Sequence, residues 1–207
     1  GSLEMHWNQS IPQQEKGRKF EEKYAQLQYM FVGGEVEKLS EMKSDRANES
    51  ARLKWIAYKD QFFSTVMIAE DAFESTTMES TPLNPQSRYI KEYKTTTSLP
   101  WDLTGKQTTN LKYYFGPNHY NTLKAYDKDV TSVEKLHLNE LVPLGWKIVA
   151  WINKVLVIPM FDLFSSWGLH IGIVILLMTL VIKLIILPFV FASYKSSAKM
   201  RVLKPQL

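Results

Sequence analysis

The chain has 207 residues, no cysteine and a formal net charge of +4, with 45% hydrophobic residues spread unevenly along it. The missing cysteines exclude disulfides and thiolate metal sites. Acids and bases are interspersed up to about residue 140, so the basic excess makes no case for nucleic acid as a direct ligand.

Residues 1–142 are polar and rich in Thr, Tyr, Lys and Glu, and form a stretch long enough to bury a core of its own. In this stretch Leu3, Met5 and Trp7 alternate with polar residues, as a half-buried strand requires. A second strand is predicted over Tyr24 to Val32, closed by Gly33-Gly34. Leu53 to Ala69 reads as a strand pair, and later strands are predicted over Tyr89 to Thr97 and Thr108 to Phe115. Between them lie turn clusters such as Thr81-Pro82-Leu83-Asn84-Pro85. Many short strands at this spacing predict a mainly β, antiparallel sandwich, with the tyrosines and phenylalanines as sheet core and cross-strand pairs. No repeat of fixed period is present.

After Gly116-Pro117-Asn118 the pattern changes. His119 to Tyr126 is predicted as a short helix capped by Asn118. Pro143 opens a second helix, Leu144 to about Val157, within a segment spanning 143–166. Lys147 and Lys154 share a face of it, with Trp146 and Trp151 among Ile, Val and Leu. Tryptophans and long basic side chains belong at a membrane interface, so this segment is expected to lie on the bilayer as an amphipathic helix. Pro159 and Ser165-Ser166 would then let the chain turn inward.

Residues 167–193 hold the one segment that reads as a span. From Leu169 to Ala192 the sequence is LHIGIVILLMTLVIKLIILPFVFA, and a hydrocarbon core takes roughly 20 apolar residues. Lys183 sits well inside it, where a cation costs on the order of 2.5–3.5 kcal/mol on insertion scales. A pure anchor has no use for it, which makes a polar cavity or a partner the expected surroundings. At about 100° per residue Gly172, Thr179 and Tyr194 fall on nearly the same line as Lys183, opposite Ile, Leu and Val. A stripe that is small or polar, on an otherwise greasy helix, suits a hydrophilic groove. Pro188 would kink the helix or loosen its backbone bonds.

Residues 194–207 are basic. Lys195, Lys199, Arg201 and Lys204 follow the span with no acid among them, and no Lys or Arg lies between Asp162 and Lys183. The positive-inside rule then puts the C-terminal end in the cytoplasm and the β domain outside, which is the periplasm of a Gram-negative cell. The chain starts at Gly1-Ser2 with no visible signal peptide, stops after Pro205-Gln206-Leu207, and reads as a segment of a longer protein.

No catalytic constellation is found. The four histidines, His6, His119, His137 and His170, are far apart, with no HExxH, GxSxG or phosphate-binding glycine loop. Glu70-Asp71 and Asp127/Asp129 are acidic pairs of the kind found in turns. No metal or other cofactor is expected, and the protein reads as a non-enzyme.

Several stretches resemble the YidC/Oxa/Alb family of membrane protein insertases in its Gram-negative form. The strongest is SYKSSAKMRVLKP, Ser193 to Pro205, which looks like the cytoplasmic start after the second transmembrane helix. PQQEKG (Pro12 to Gly17), KWIAYKDQFFST (Lys54 to Thr65) and YFGP (Tyr114 to Pro117) resemble the large periplasmic domain, in the expected order and closest to Bacteroidetes members. The resemblance implies a β-supersandwich similar to galactose-mutarotase folds, then an interfacial elbow helix, then a groove helix. In the family a groove arginine lies five residues before a proline and four after a threonine. Lys183 stands in that register between Thr179 and Pro188, keeping the charge without the guanidinium fork.

The implied partners are nascent membrane proteins and membrane lipids, with the Sec translocon and the ribosome as further ones, at the bacterial inner membrane. The implied activity is insertion and folding of inner-membrane proteins, alone or with the translocon. The alternative is a membrane-tethered periplasmic module that binds a sugar or a peptide.

Overall fold

The computed structural model describes residues 1–102, 104, 108–132 and 134–203. The chain divides into two compact units, Gly1–Pro143 and Leu144–Leu207.

The first unit is antiparallel β throughout. Its strands are β1 (Ser2–Pro12), β2 (Gln26–Phe31), β3 (Val36–Lys38), β4 (Asp45–Glu49), β5 (Leu53–Lys59), β6 (Phe63–Pro82), β7 (Tyr89–Pro100) and β8 (Leu111–Pro117). Two sheets share one long strand, β6. Its first half pairs β5 and β8, and β5 continues to β2 and β3. Its second half pairs β7 and β4, and β7 continues to β1. The changeover is a bulge: pairing with β7 jumps from Glu74↔Ser98 to Thr77↔Thr96, and Ser75 between them has φ 47. Strands that pass between sheets do so through such bends.

One core fills the space between the sheets, with Leu27, Tyr29, Ile56, Tyr58 and Met67 on one side and Ile11, Met78, Ile90, Tyr93 and Leu99 on the other. A second core lies on the outer face of the β2–β5–β6 sheet. There Met30, Trp55, Ala57, Val66, Ile68 and Tyr114 are covered by Leu123, Leu138 and Leu141. Burial on both faces gives β2 and β5 their near-continuous buried pattern. The predicted alternation holds for Met5 and Trp7, which are half-buried against the core, but not for Leu3, which is exposed near the start of β1.

The three β-domain motifs that carry the family resemblance are structural. In YFGP, the Tyr114 hydroxyl donates to the Pro117 carbonyl at 2.7 Å, and a Cβ on Gly116 would lie 2.6 Å from that hydroxyl. In KWIAYKDQFFST, Asp60 Oδ1 accepts from the Phe62 and Phe63 amides and so closes the β5–β6 turn. In PQQEKG, the Gln14 and Glu15 amides donate to the carboxylate of Glu21, which is 1% exposed.

Glu21 belongs to a helix absent from the sequence reading, α1 (Arg18–Tyr24). It takes Tyr24 from the predicted second strand. Arg18 pairs with Glu22 at 2.8 Å and donates to the carbonyls of Leu83, Ser87 and Tyr89, which locks the β6–β7 turn.

The short helix α2 (Tyr120–Lys124) is present, but its cap is His119, whose ring accepts from the Thr122 amide, and not Asn118. Asn118 is engaged elsewhere: its amide group donates to the Asp60 and Phe63 carbonyls, and its oxygen accepts from Ser64 Oγ.

The second unit is helical: α3 (Lys147–Ile152), a π turn (Asn153–Val157), α4 (Ile158–Ser166) and α5 (Ile171–Leu203). The first three are continuous, so Pro159 does not end the helix as expected. The wide turn just before it absorbs a residue that has no N–H to give. The expected start at Leu144 is also displaced, because Gly145 has φ 84 and Trp146 is the first cap.

Candidate functional site

The α4–α5 connection is a tight helical hairpin. Gly168, at φ 68, ends α4 in the left-handed conformation that favours glycine. His170 Nδ1 then accepts from the Gly172 amide at 3.3 Å and opens α5 at Ile171, four residues later than the expected span start. α5 is 33 residues long, about 50 Å at 1.5 Å per residue, against a hydrocarbon core of about 30 Å. It runs through Pro188 without interruption.

Met160 and Phe164 of α4 pack on Val174, Leu177, Met178, Val181 and Ile182 of α5. At about 100° per residue those five centre roughly opposite Lys183. Lys183, Thr179, Gly172 and Tyr194 therefore occupy the face of α5 that α4 leaves uncovered, and all four are exposed. The helix brings them onto one stripe, spread over six turns, rather than into one pocket. Thr179 Oγ1 donates to the Ile175 carbonyl at 2.8 Å. Its hydroxyl hydrogen is thus satisfied within the helix, while its oxygen still faces outward as an acceptor. Lys183 has no acidic partner among the described residues.

The basic residues that follow continue α5. Lys195 is exposed, and the backbones of Lys199 and Arg201 are helical; Lys204 lies outside the described residues. Upstream, Trp146 is 86% and Trp151 64% exposed, among exposed Ile148, Val149, Ile152 and Val155. Lys147 is the first residue of α3, and Lys154 lies in the π turn. Sequence reasoning missed that π turn; the signal was a proline five residues after Lys154 in a segment with no other breaker. Among the described residues, two helices are long and apolar enough to cross a membrane, Ile148–Ser166 and Ile171–Ala198. The first passes that test although its exposed Trp151 and its Lys154 suit an interface equally well.

A folded β domain joined to apolar helices of membrane length, one of them with Lys183 inside its apolar run, defines the class of a β domain carried on membrane-length helices. The sequence model of the family described as YidC periplasmic domain matches residues 2–159, and the chain belongs to that family. The match runs through the β domain and α3 to Pro159. The chain is 52% identical over 206 residues to a membrane protein insertase YidC of Parabacteroides distasonis, covering 100% of this chain and 32% of that protein. It is 48% identical over 205 residues to the one of Bacteroides fragilis, covering 99% and 33%. It is 37% identical over 209 residues to the one of Porphyromonas gingivalis, covering 99% and 33%. The chain thus spans about a third of the length of the curated relatives it matches.

Proposed function

We propose that this chain is part of an inner-membrane insertase in which α5 forms one wall of a hydrophilic groove for entering membrane proteins. The observation that carries this is the placement of Lys183 with Thr179, Gly172 and Tyr194 on the face of α5 that α4 does not cover. The names of the relatives favour this over a tethered sugar- or peptide-binding module. The work involves no bond chemistry. Moving a polar or acidic tail through hydrocarbon is costly because its charge loses water. A lysine at membrane depth offers that tail a transient partner, and the hydrophobic segment behind it then partitions sideways into lipid. Lysine serves here as a compact point charge without arginine's bidentate fork.

The remaining parts support α5. The α3–α4 segment lies at the periplasmic surface with Trp146 and Trp151 in the headgroups and α4 braced against α5, and the charges of Lys147 and Lys154 suit that interface. Lys195, Lys199, Arg201 and Lys204 hold the cytoplasmic end by attraction to anionic lipid and offer a surface to the ribosome; the Sec translocon is a further partner. The substrates are nascent inner-membrane proteins.

The test uses the full-length protein with a substrate bearing an acidic translocated tail. Lys183→Glu should lower its insertion by about tenfold, the equivalent of about 1.4 kcal/mol, and Lys183→Ala by less. A substrate with a neutral tail should be little affected by either. Unchanged insertion of the acidic-tailed substrate with Lys183→Glu would falsify the electrostatic role.

A further inference from the structure

The first unit carries a basic cavity that the insertase reading does not use. It has a volume of about 480 Å³ and is formed by α2 and the segment after it, within the usual range of ligand pockets. Lys124, Lys128, Lys135 and His137 line it, with Asp127 as its one carboxylate and Asn139 as a neutral polar group. None of the three lysines has an acidic partner among the described residues. Glu134 is bonded to Thr131, and Glu140 faces His137 at 3.7 Å.

The cavity wall is built rather than loose. Asp127 accepts the Leu136 amide at 2.6 Å and the His137 amide at 3.0 Å. Two backbone amides thus solvate its charge. The Leu136 carbonyl accepts the Trp55 indole N–H at 2.6 Å, which ties the segment to strand β5. Leu138 and Leu141 are fully buried beneath it. Just before them the backbone of His137 is held at φ 49, a left-handed conformation that non-glycine residues adopt uncommonly.

We propose that this cavity binds the phosphate of an anionic phospholipid headgroup. Three ammoniums without an acidic partner among the described residues, Lys124 lying over the Tyr120 ring at 5.9 Å, line one space and recognise a phosphodiester by charge, and one carboxylate bound to amides does not cancel them. Connectivity chooses lipid over a soluble phosphate. Asn139 precedes the first residue of α3, Lys147, by eight residues, a covalent reach of at most about 27 Å. On the reading that the apolar helices sit in or on the bilayer, the cavity is permanently tethered near headgroups, so their effective concentration is high.

The test reads binding without insertion, so it can fail while the groove reading stands. The 207-residue chain, labelled with nitrogen-15 in non-ionic micelles, is titrated with dihexanoyl phosphatidylglycerol, with dihexanoyl phosphatidylcholine and with inorganic phosphate. Phosphatidylglycerol should shift the Trp55 indole and the Leu136 and His137 amides saturably. Phosphatidylcholine and inorganic phosphate should bind at least about tenfold more weakly, lacking the net charge or the tethered amphiphile. Lys128→Gln or Lys135→Gln should each weaken phosphatidylglycerol about fivefold. An unchanged Trp55 indole resonance before titration certifies the fold, and Lys124→Gln provides a second site if either variant fails to fold. No saturable shift, or affinity unmoved by folded lysine variants, overturns the proposal. Inorganic phosphate binding as tightly as phosphatidylglycerol overturns the lipid assignment.

Discussion

Lys59 and Lys91 are each 1% exposed inside the β domain. Lys59 Nζ donates to the Tyr24 carbonyl at 3.3 Å, and Lys91 Nζ to the carbonyls of Ala25 and Glu41. The two ammoniums thus cap the C-terminal end of α1, where the helix dipole favours cations. Burial nevertheless pushes both lysines down, each to about 8. An unfolded lysine keeps its proton to 10.5. Between about 8 and 10.5 the unfolded chain therefore binds more protons than the folded one, and stability climbs with pH. Below 8 both states are protonated and the whole desolvation cost is carried. Tyr58 and Tyr93 act in the opposite sense, because burial raises both. Above 10.0 the unfolded chain ionises its phenols while the folded chain holds those protons, so stability is lost again. The urea midpoint of the β domain is expected to rise from pH 7.5 to 9.5 and to rise less in Lys59→Met. A flat or falling midpoint over that window would show that the ammoniums are better solvated than their burial implies. None of this was legible in the sequence, where Lys59 is one lysine among many and only the three-dimensional approach of α1 gives it a carbonyl.

At the scale of elements, β6 shows why some of the fold could be read and some could not. Alternation in β1 and the apolar runs of β5 and early β6 are direct imprints of burial on one or two faces. The second half of β6 escaped because the strand changes sheet at Ser75, so its pattern breaks in the middle of a continuous element. β3 and β4 are short and lack any fully buried position, so they carry no apolar pattern. α1 is marked by charge more than by an apolar face: Arg18 and Glu22 are its i,i+4 pair, and Phe20 is exposed. Ser75 itself yields an expectation. Its φ of 47 disfavours a β-carbon by roughly 1–2 kcal/mol, and glycine removes that penalty. Ser75→Gly should raise the urea midpoint or leave it level, while Ser75→Val should lower stability by about 1–2 kcal/mol, since branching worsens the same clash. If valine were tolerated as well as glycine, the bend would not be fixed by that residue.

At the scale of the whole molecule, Lys183 was legible because a cation within an apolar run violates the solvent it sits in, and no tertiary information is needed to see the violation. The route of the chain through the bilayer is a different matter, since two helices satisfy length and hydropathy. If α3–α4 lies on the surface and only α5 crosses, the β domain and the basic end of α5 are on opposite sides. If both cross as a hairpin, they are on the same side. Charge favours the first arrangement. By the positive-inside rule Lys195, Lys199 and Arg201 would mark a cytoplasmic end, and the family is described as a periplasmic domain. Because the chain has no cysteine, single introduced thiols report its sidedness. Ser50→Cys, exposed beside β4, and Ser197→Cys, exposed on α5, should separate cleanly in intact cells whose outer membrane admits the reagent, using a thiol label that cannot cross the inner membrane. Ser50→Cys should be labelled at once, and Ser197→Cys only after the inner membrane is opened. Equal labelling of both before opening would make α3–α4 a second span. That outcome would carry the α4-covered face of α5 into the bilayer with α4 and leave the Lys183 stripe as the side open to other helices.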